Sequence, residues 1–194
     1  MFKKLAILFF KWKGWKVDTN LPANLKRCVL IAAPHTSNWD FVYTIAAFGI
    51  YGLPIRFTIK KEWMRFPFSI ITKPLGGIGI DRSNAAKAGE RISYTVAMAN
   101  LFKSNGELII VITPEGTRSR RETWKTGFYH IAKEANVPIC LGYCDYKNKI
   151  AGIGLTIFPS DYETDMKTIM KFYNSIHPKF PENFSLDKAF SIND

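Results

Sequence analysis

Histidine is scarce in this chain: there are three in 194 residues. One of them stands in the stretch Pro34-His35-Thr36-Ser37-Asn38-Trp39-Asp40, between an apolar run at residues 28–33 and another at residues 41–50. Such a pattern predicts a strand entering the stretch and a helix leaving it. Inside one helix, five steps of about 100° would put His35 and Asp40 far apart around the axis. With His35 in the turn and Asp40 in the first helical turn, the two side chains can meet. A carboxylate that holds an imidazole in one tautomer makes it a usable general base near neutral pH. Ser37 with Asp40 three residues on also reads as a helix N-cap pair, so Asp40 serves equally well as a cap.

A second stretch bears on the choice. Thr113-Pro114-Glu115-Gly116-Thr117-Arg118-Ser119-Arg120 closes an apolar run, and Gly79-Ile80-Asp81-Arg82 lies between the two blocks. Together with Val137-Pro138-Ile139, these blocks resemble the membrane glycerolipid acyltransferase family, whose best-known members acylate lysophosphatidic acid. The family carries a His, four residues and an Asp, then a Pro-Glu-Gly-Thr-Arg block, in the order found here. The matching part runs from about residue 30 to residue 141.

The resemblance implies acyl transfer from a thioester to a lipid hydroxyl. His35 would be the general base and Asp40 its orienting partner, with no acyl-enzyme intermediate. Glu115, Gly116, Thr117 and Arg118 would form the acceptor-binding block, and Arg82 would be a second phosphate-side arginine. Arg118 can grip a phosphate through two parallel hydrogen bonds, and Gly116 lets the backbone turn beside a ligand. Glu115 has an alternative part, pairing with an arginine to fix the loop. Arg120, Arg121 and Lys125 are further candidates for coenzyme or headgroup phosphates.

No cofactor is implied; acyl-CoA or acyl carrier protein would be the co-substrate. The absence of a Gly-x-Ser-x-Gly elbow agrees with direct transfer. Three His and three scattered Cys do not meet zinc spacing rules, so no metal site is expected. His130, within a helical stretch, and His177, before a proline, read as structural or exposed. A backbone N–H near the His35 turn is the expected oxyanion donor.

Pro34 stands where many lysophosphatidate enzymes have Asn, and Thr113 where many have Phe. Cys140-Leu141-Gly142-Tyr143 replaces the usual second proline and apolar run. These departures leave the acceptor open among a lysophospholipid, an ornithine- or glycine-type amino-acid lipid, and another monoacylated lipid alcohol.

The rest of the chain must position these groups. Net charge is +11, from 27 basic and 16 acidic residues, which implies an anionic partner. A basic nucleic-acid-binding module is a competing class, although no recognition-helix or RNA-binding aromatic block accompanies the charge. A non-catalytic lipid-binding scaffold of the same fold is another. Cys28, Cys140 and Cys144 are odd in number and fall in strand-like runs, which suggests a reducing compartment. No apolar run reaches the roughly 18 to 20 residues that span a bilayer, and no signal peptide is evident.

Residues 1–18 form one unit of this reading, a basic amphipathic helix rich in Trp and Phe that suits the headgroup layer of an anionic membrane. Packing of the same helix on the domain, with its lysines solvated, is the alternative. Residues 19–194 form the second unit, a single acyltransferase domain. Residues 61–75 interleave Trp63, Met64, Phe66, Phe68 and Ile70 with Lys61, Arg65 and Lys73, as in a lipid-touching flap or in a helix with its aromatics on the core.

Strands are expected at residues 27–33, 55–60, 76–82, 107–113, 137–143 and 150–158. Helices are expected at 38–50, ended by Gly49, Gly52 and Pro54, and at 84–104, 126–135 and 165–175. The tail from Pro178 onward reads as irregular or loosely packed. This alternation predicts an α/β fold with a mixed, mainly parallel central sheet flanked by helices. The resemblance implies the same architecture, with a peripheral enzyme on the cytoplasmic face of the inner membrane.

Overall fold

The computed structural model describes residues 2–80 and 94–190. A seven-stranded sheet, in the order β1-β7-β6-β2-β5-β3-β4, divides the described chain into two helical layers. The strands are β1 (Lys16–Val17), β2 (Arg27–Ala32), β3 (Ile55–Lys60), β4 (Gly77–Ile80), β5 (Leu108–Ile112), β6 (Ile139–Asp145) and β7 (Ile150–Ile157). From β4 to β6 every neighbouring pair is parallel, whereas β7 runs antiparallel to β6 and carries the two-residue β1 at the edge. The expected mixed, mainly parallel sheet is therefore present.

The helices are α1 (Phe2–Trp12), α2 (Asn38–Tyr51), α3 (Ser69–Thr72), α4 (Tyr94–Ser104), α5 (Gly127–Ala135) and α6 (Tyr162–Asn174). Because side chains alternate along a strand, a strand covered on both faces needs apolar residues at every position. β2 shows this directly. Val29 and Ile31 join a core with Met98, Phe102, Phe128, Ile131, Met166 and Tyr173 from α4, α5 and α6. Cys28 and Leu30 join the opposite core with Phe10, Tyr43, Ala46 and Phe48 from α1 and α2. All three cysteines are free and buried.

Three local readings are corrected. Gly49 does not end α2; it lies within it, and the helix closes at Gly52, whose φ is +75°. A Cβ on Gly49 would sit 2.8 Å from Lys3 Cε and 3.0 Å from Ile7 Cδ1, so its missing side chain is what lets α1 cross closely. α6 begins at Tyr162 rather than Asp165, because Asp161 is the cap that accepts the N–H of Thr164. Asp165 is instead buried and accepts the Tyr129 hydroxyl at 2.7 Å and the Ser160 N–H at 2.7 Å.

The third correction concerns the tail. It is irregular, apart from a 3₁₀ turn at Pro181–Asn183, but it is firmly attached. Buried Asp187 accepts the Trp124 N–H at 2.9 Å and the Ala189 N–H at 3.0 Å. The Trp124 indole N–H donates to the Ser185 carbonyl at 3.0 Å, and the Lys188 N–H to the Glu122 carbonyl at 2.9 Å. Earlier in the chain, a 3₁₀ turn at Lys61–Met64 precedes α3, and Phe66, Phe68 and Ile70 are exposed rather than set in the core.

Removing the Asp187 carboxylate leaves the buried Trp124 N–H without its acceptor and frees the Ala189 N–H. Asp187→Ala should destabilise the protein by about 1–3 kcal/mol, read as a lower urea midpoint. An unchanged midpoint would show that the tail contributes nothing to the fold.

Candidate active site

Two strand ends build the site. β2 and β5 are parallel neighbours, with Ile31 opposite Ile112. The turns that follow them therefore leave the sheet side by side at its carboxyl edge, where open α/β sheets place their ligands. The turn after β2 carries residues 33–37 and enters α2; the turn after β5 carries Thr113 to Arg118.

His35 and Asp40 meet. His35 Nδ1 lies 3.3 Å from Asp40 Oδ2. The same oxygen accepts the N–H groups of Thr36 at 2.9 Å and Ser37 at 2.8 Å. Asp40 is thus also the acidic member of a capping box with Ser37, whose hydroxyl accepts the Trp39 N–H at 3.2 Å. One carboxylate thus caps the helix and lies against the imidazole. No described group hydrogen-bonds His35 Nε2, and the imidazole lines a cavity of about 830 Å³.

Glu115 takes its structural alternative with a different partner. Its carboxylate accepts the His35 N–H, at 2.9 Å to Oε2 and 3.2 Å to Oε1, and engages no arginine among the described residues. It ties the second block to the first. Burial pushes its carboxyl up to about 8; the His35 N–H opposes that rise and the nearby Asp40 charge adds to it.

These bonds occupy most of the backbone donors of the turn. The N–H groups of His35, Thr36 and Ser37 are engaged by the two carboxylates. Those of Trp39 and Asp40 bond to Ser37, the latter at 3.3 Å to its carbonyl.

Gly116 and Arg118 line the same cavity as His35, together with Lys125. Gly116 has φ +68°, a conformation that favours glycine, and a Cβ there would lie 2.8 Å from Lys125 Nζ and push that lysine aside. Arg118 is exposed and has no ion pair among the described residues. Thr117 stays within its own loop, its hydroxyl accepting the Ser119 N–H at 3.3 Å. Arg82 lies outside the described residues.

Phe41, Phe57 and Val111 give the rest of the cavity an apolar wall, and the volume is in the range of small-molecule sites, about 300–1,000 Å³. His130 is exposed on α5 and stacks on Tyr162, while His177 Nδ1 lies 3.4 Å from Asp145 Oδ2; neither lines the cavity. Among the described residues no group of His, Cys, Asp and Glu could hold a metal ion.

One contact was not legible in the sequence. The Tyr146 hydroxyl, just past β6, donates to Asp40 Oδ1 at 2.6 Å. The only available signal was its position at the end of a strand that pairs with β2.

A half-buried imidazole beside a buried carboxylate opens on a largely apolar cavity that two cationic side chains, Arg118 and Lys125, also line. A sequence model of the acyltransferase family matches residues 16–141, and the chain belongs to that family. It is 32% identical over 151 residues to a 1-acyl-sn-glycerol-3-phosphate acyltransferase of Haemophilus influenzae, a match covering 74% of this chain and 58% of that protein. It is 35% identical over 147 residues to a probable 1-acyl-sn-glycerol-3-phosphate acyltransferase of Mycoplasma pneumoniae, covering 71% and 53% respectively. The matches thus span a little over half the length of these relatives.

Glu115 makes stability depend on pH. Its folded-state value stands above that of an ordinary carboxyl, so its contribution is complete at low pH and is lost as pH rises from about 4.5 through about 8. Glu115→Gln keeps an acceptor for the His35 N–H and cannot ionise. The variant's melting temperature should fall less than the parent's between pH 5 and 8.5, as scanned by calorimetry.

Proposed function

We propose that the protein is a peripheral membrane O-acyltransferase that moves a fatty acyl group from an acyl thioester, of coenzyme A or acyl carrier protein, to the hydroxyl of a lysophospholipid or related monoacylated lipid. The observation that carries this reading is the 3.3 Å contact between His35 and Asp40 beside a cavity that Arg118 also lines. Membership of the acyltransferase family supports it.

The acceptor hydroxyl gives its proton to His35 Nε2 as its oxygen attacks the thioester carbonyl. The tetrahedral intermediate expels the thiolate, the C–S bond breaks, and the imidazolium returns the proton to sulfur. Ester and free thiol are the products, and His35 ends as it began. Asp40 offsets the transient imidazolium charge, Gly116 and Thr117 shape the loop, and Arg118, with Arg82, grips the acceptor phosphate. Glu115 acts here through the position of the His35 backbone. The apolar wall suits an acyl chain.

No helix among the described residues is long and apolar enough to cross a membrane. The surface nevertheless suits a bilayer. Phe2, Leu5, Leu8 and Trp12 of α1 are exposed, although Ala6 and Phe10 pack against the domain. Lys13 Nζ sits 4.4 Å from the Trp12 ring. Exposed apolar side chains among lysines match the interfacial layer of an anionic membrane.

The purified protein, given labelled acyl-CoA or acyl carrier protein with a panel of lysophospholipids and amino-acid lipids, should yield one acylated class by mass spectrometry. His35→Ala should lower the rate about 10²-fold or more with melting unchanged. Asp40→Ala should lose both activity and about 2 kcal/mol or more of stability, because it also leaves the buried N–H groups of Thr36 and Ser37 without their acceptor. Undiminished transfer by folded His35→Ala with every acceptor would overturn the assignment.

Arg118→Lys should raise KM for a phosphate-bearing acceptor about tenfold, the equivalent of one charge-assisted hydrogen bond, with a smaller effect on kcat. Trp12→Ser should weaken binding to vesicles containing anionic lipid in a sedimentation assay, and equal binding would remove α1 from the docking surface.

A further inference from the structure

The Asp40 carboxylate has two oxygens with different tasks. Oδ2 lies 3.3 Å from His35 Nδ1 and accepts two backbone N–H groups, whereas Oδ1 accepts from a single donor, the Tyr146 hydroxyl at 2.6 Å. That distance is the ordinary one for O–H donation to a carboxylate, about 2.5–2.7 Å. The phenol is itself fixed. The Tyr146 N–H donates to the His177 carbonyl at 2.9 Å. Its ring meets Trp15 edge-on at 5.0 Å and Tyr43 edge-on at 5.7 Å between centroids, and Trp15 stacks on Tyr43 at 4.0 Å.

We propose that Tyr146 is a positioning residue for acyl transfer: by donating to Oδ1 it sets the rotation of the Asp40 carboxylate and takes up part of its charge, so that His35 is oriented without being held protonated. The inference rests on the reading of His35 and Asp40 as the reacting pair. A carboxylate with a single bonding partner, the imidazole, would stabilise the imidazolium most strongly. Each further donor shares the same negative charge and weakens that pull. Tyr146 is the only side-chain hydroxyl among these donors, and it alone can be removed without altering the backbone of the turn. Burial and the Asp40 charge push the phenol well above its ordinary range, which keeps it a donor.

Other charged and titratable groups surround the pair and stay in place when Tyr146 changes. Glu115, after β5, holds the His35 N–H. Cys144 of β6 places Sγ 3.9 Å from the Asp40 carbonyl, and Tyr43 of α2 packs on Tyr146. Asp145 and His177 pair beside Tyr146, and Lys179 Nζ lies 5.3 Å from the Trp39 ring. Arg118 and Lys125 line the same cavity. The pH response must therefore be read at His35 itself.

The test is a titration of the full-length protein labelled with ¹⁵N-histidine, followed by NMR, with signals assigned from His35→Gln, His130→Gln and His177→Gln. It needs no turnover, so its outcome is independent of whether the acyl acceptor has been identified. Tyr146→Phe keeps the ring and removes the hydroxyl. The pH at which the His35 signal titrates should rise by about half to one unit, with His130 unmoved, and the acidic limb of the kcat/KM profile should follow it. Tyr43→Phe, which removes a neighbouring hydroxyl that does not touch Asp40, should leave the His35 signal where it is.

3-Fluorotyrosine at position 146 is nearly the same shape and a stronger donor; it should move the His35 signal to lower pH, and it preserves the packing if the phenylalanine variant fails to fold. An unchanged His35 signal in either folded protein overturns the proposal. So does an equal shift on Tyr43→Phe, which would make the effect one of packing.

Discussion

Everything in this site depends on giving the backbone N–H groups of one short turn their acceptors. Residues 35–37 leave β2 and start α2, so their donors have no strand or helix partner of their own. Buried donors left unpaired would each cost about 1–3 kcal/mol. Two carboxylates meet the need. Glu115 takes the N–H of His35, and Asp40 takes those of Thr36 and Ser37. The imidazole is aimed by this arrangement because its own backbone is held on one side and its ring on the other. The placing of the imidazole is here a by-product of backbone satisfaction, which is why the two motifs must be neighbours in space although they are 80 residues apart.

The sheet order makes that proximity unavoidable. β2 lies between β5 and β6, all three parallel, so the segments following them emerge together at one edge. The segment after β2 supplies His35 and Asp40, that after β5 supplies Glu115, Gly116 and Arg118, and that after β6 supplies Tyr146. Strands buried on both faces are what hold these exits in register, and the continuous apolar runs of β2, β5 and β6 are the price of that burial in sequence terms.

This explains what could be read in advance. Each parallel strand shows as an unbroken apolar run, and each exit carries polar or glycine residues that do not fit a strand, so the fold class and the His35–Asp40 pairing followed from local pattern. The order of the strands did not, since runs of Leu, Ile and Val carry no record of which neighbour they pair with. Contacts made across that order were correspondingly hidden. Tyr146 on Asp40, Glu115 on the His35 backbone and Asp187 under Trp124 each join residues at least 60 apart. Gly49 was misread for a related reason. In sequence a glycine near a helix end looks like a stop, and only the crossing of α1 shows that it is a contact. The tail was underrated because its anchors are single polar atoms rather than a periodic apolar stripe.

One carboxylate serving as helix cap and imidazole partner has a consequence for how such a site can vary. The start of α2 needs an acceptor for its free N–H groups whether or not a histidine is present. The acid is therefore retained by the fold's own stability, and the base can be gained or lost without disturbing it. The reverse does not hold: losing Asp40 frees two backbone donors and the imidazole at once. Arg118, Lys125 and the apolar wall formed with Phe41 and Phe57 line the same cavity from elsewhere. Those side chains make no hydrogen bond to the pinned turn among the described residues. The departures at Pro34 and Thr113 are of the same kind. Both residues line the cavity, and neither supplies a side-chain hydrogen bond to His35, Asp40 or Glu115 among the described residues.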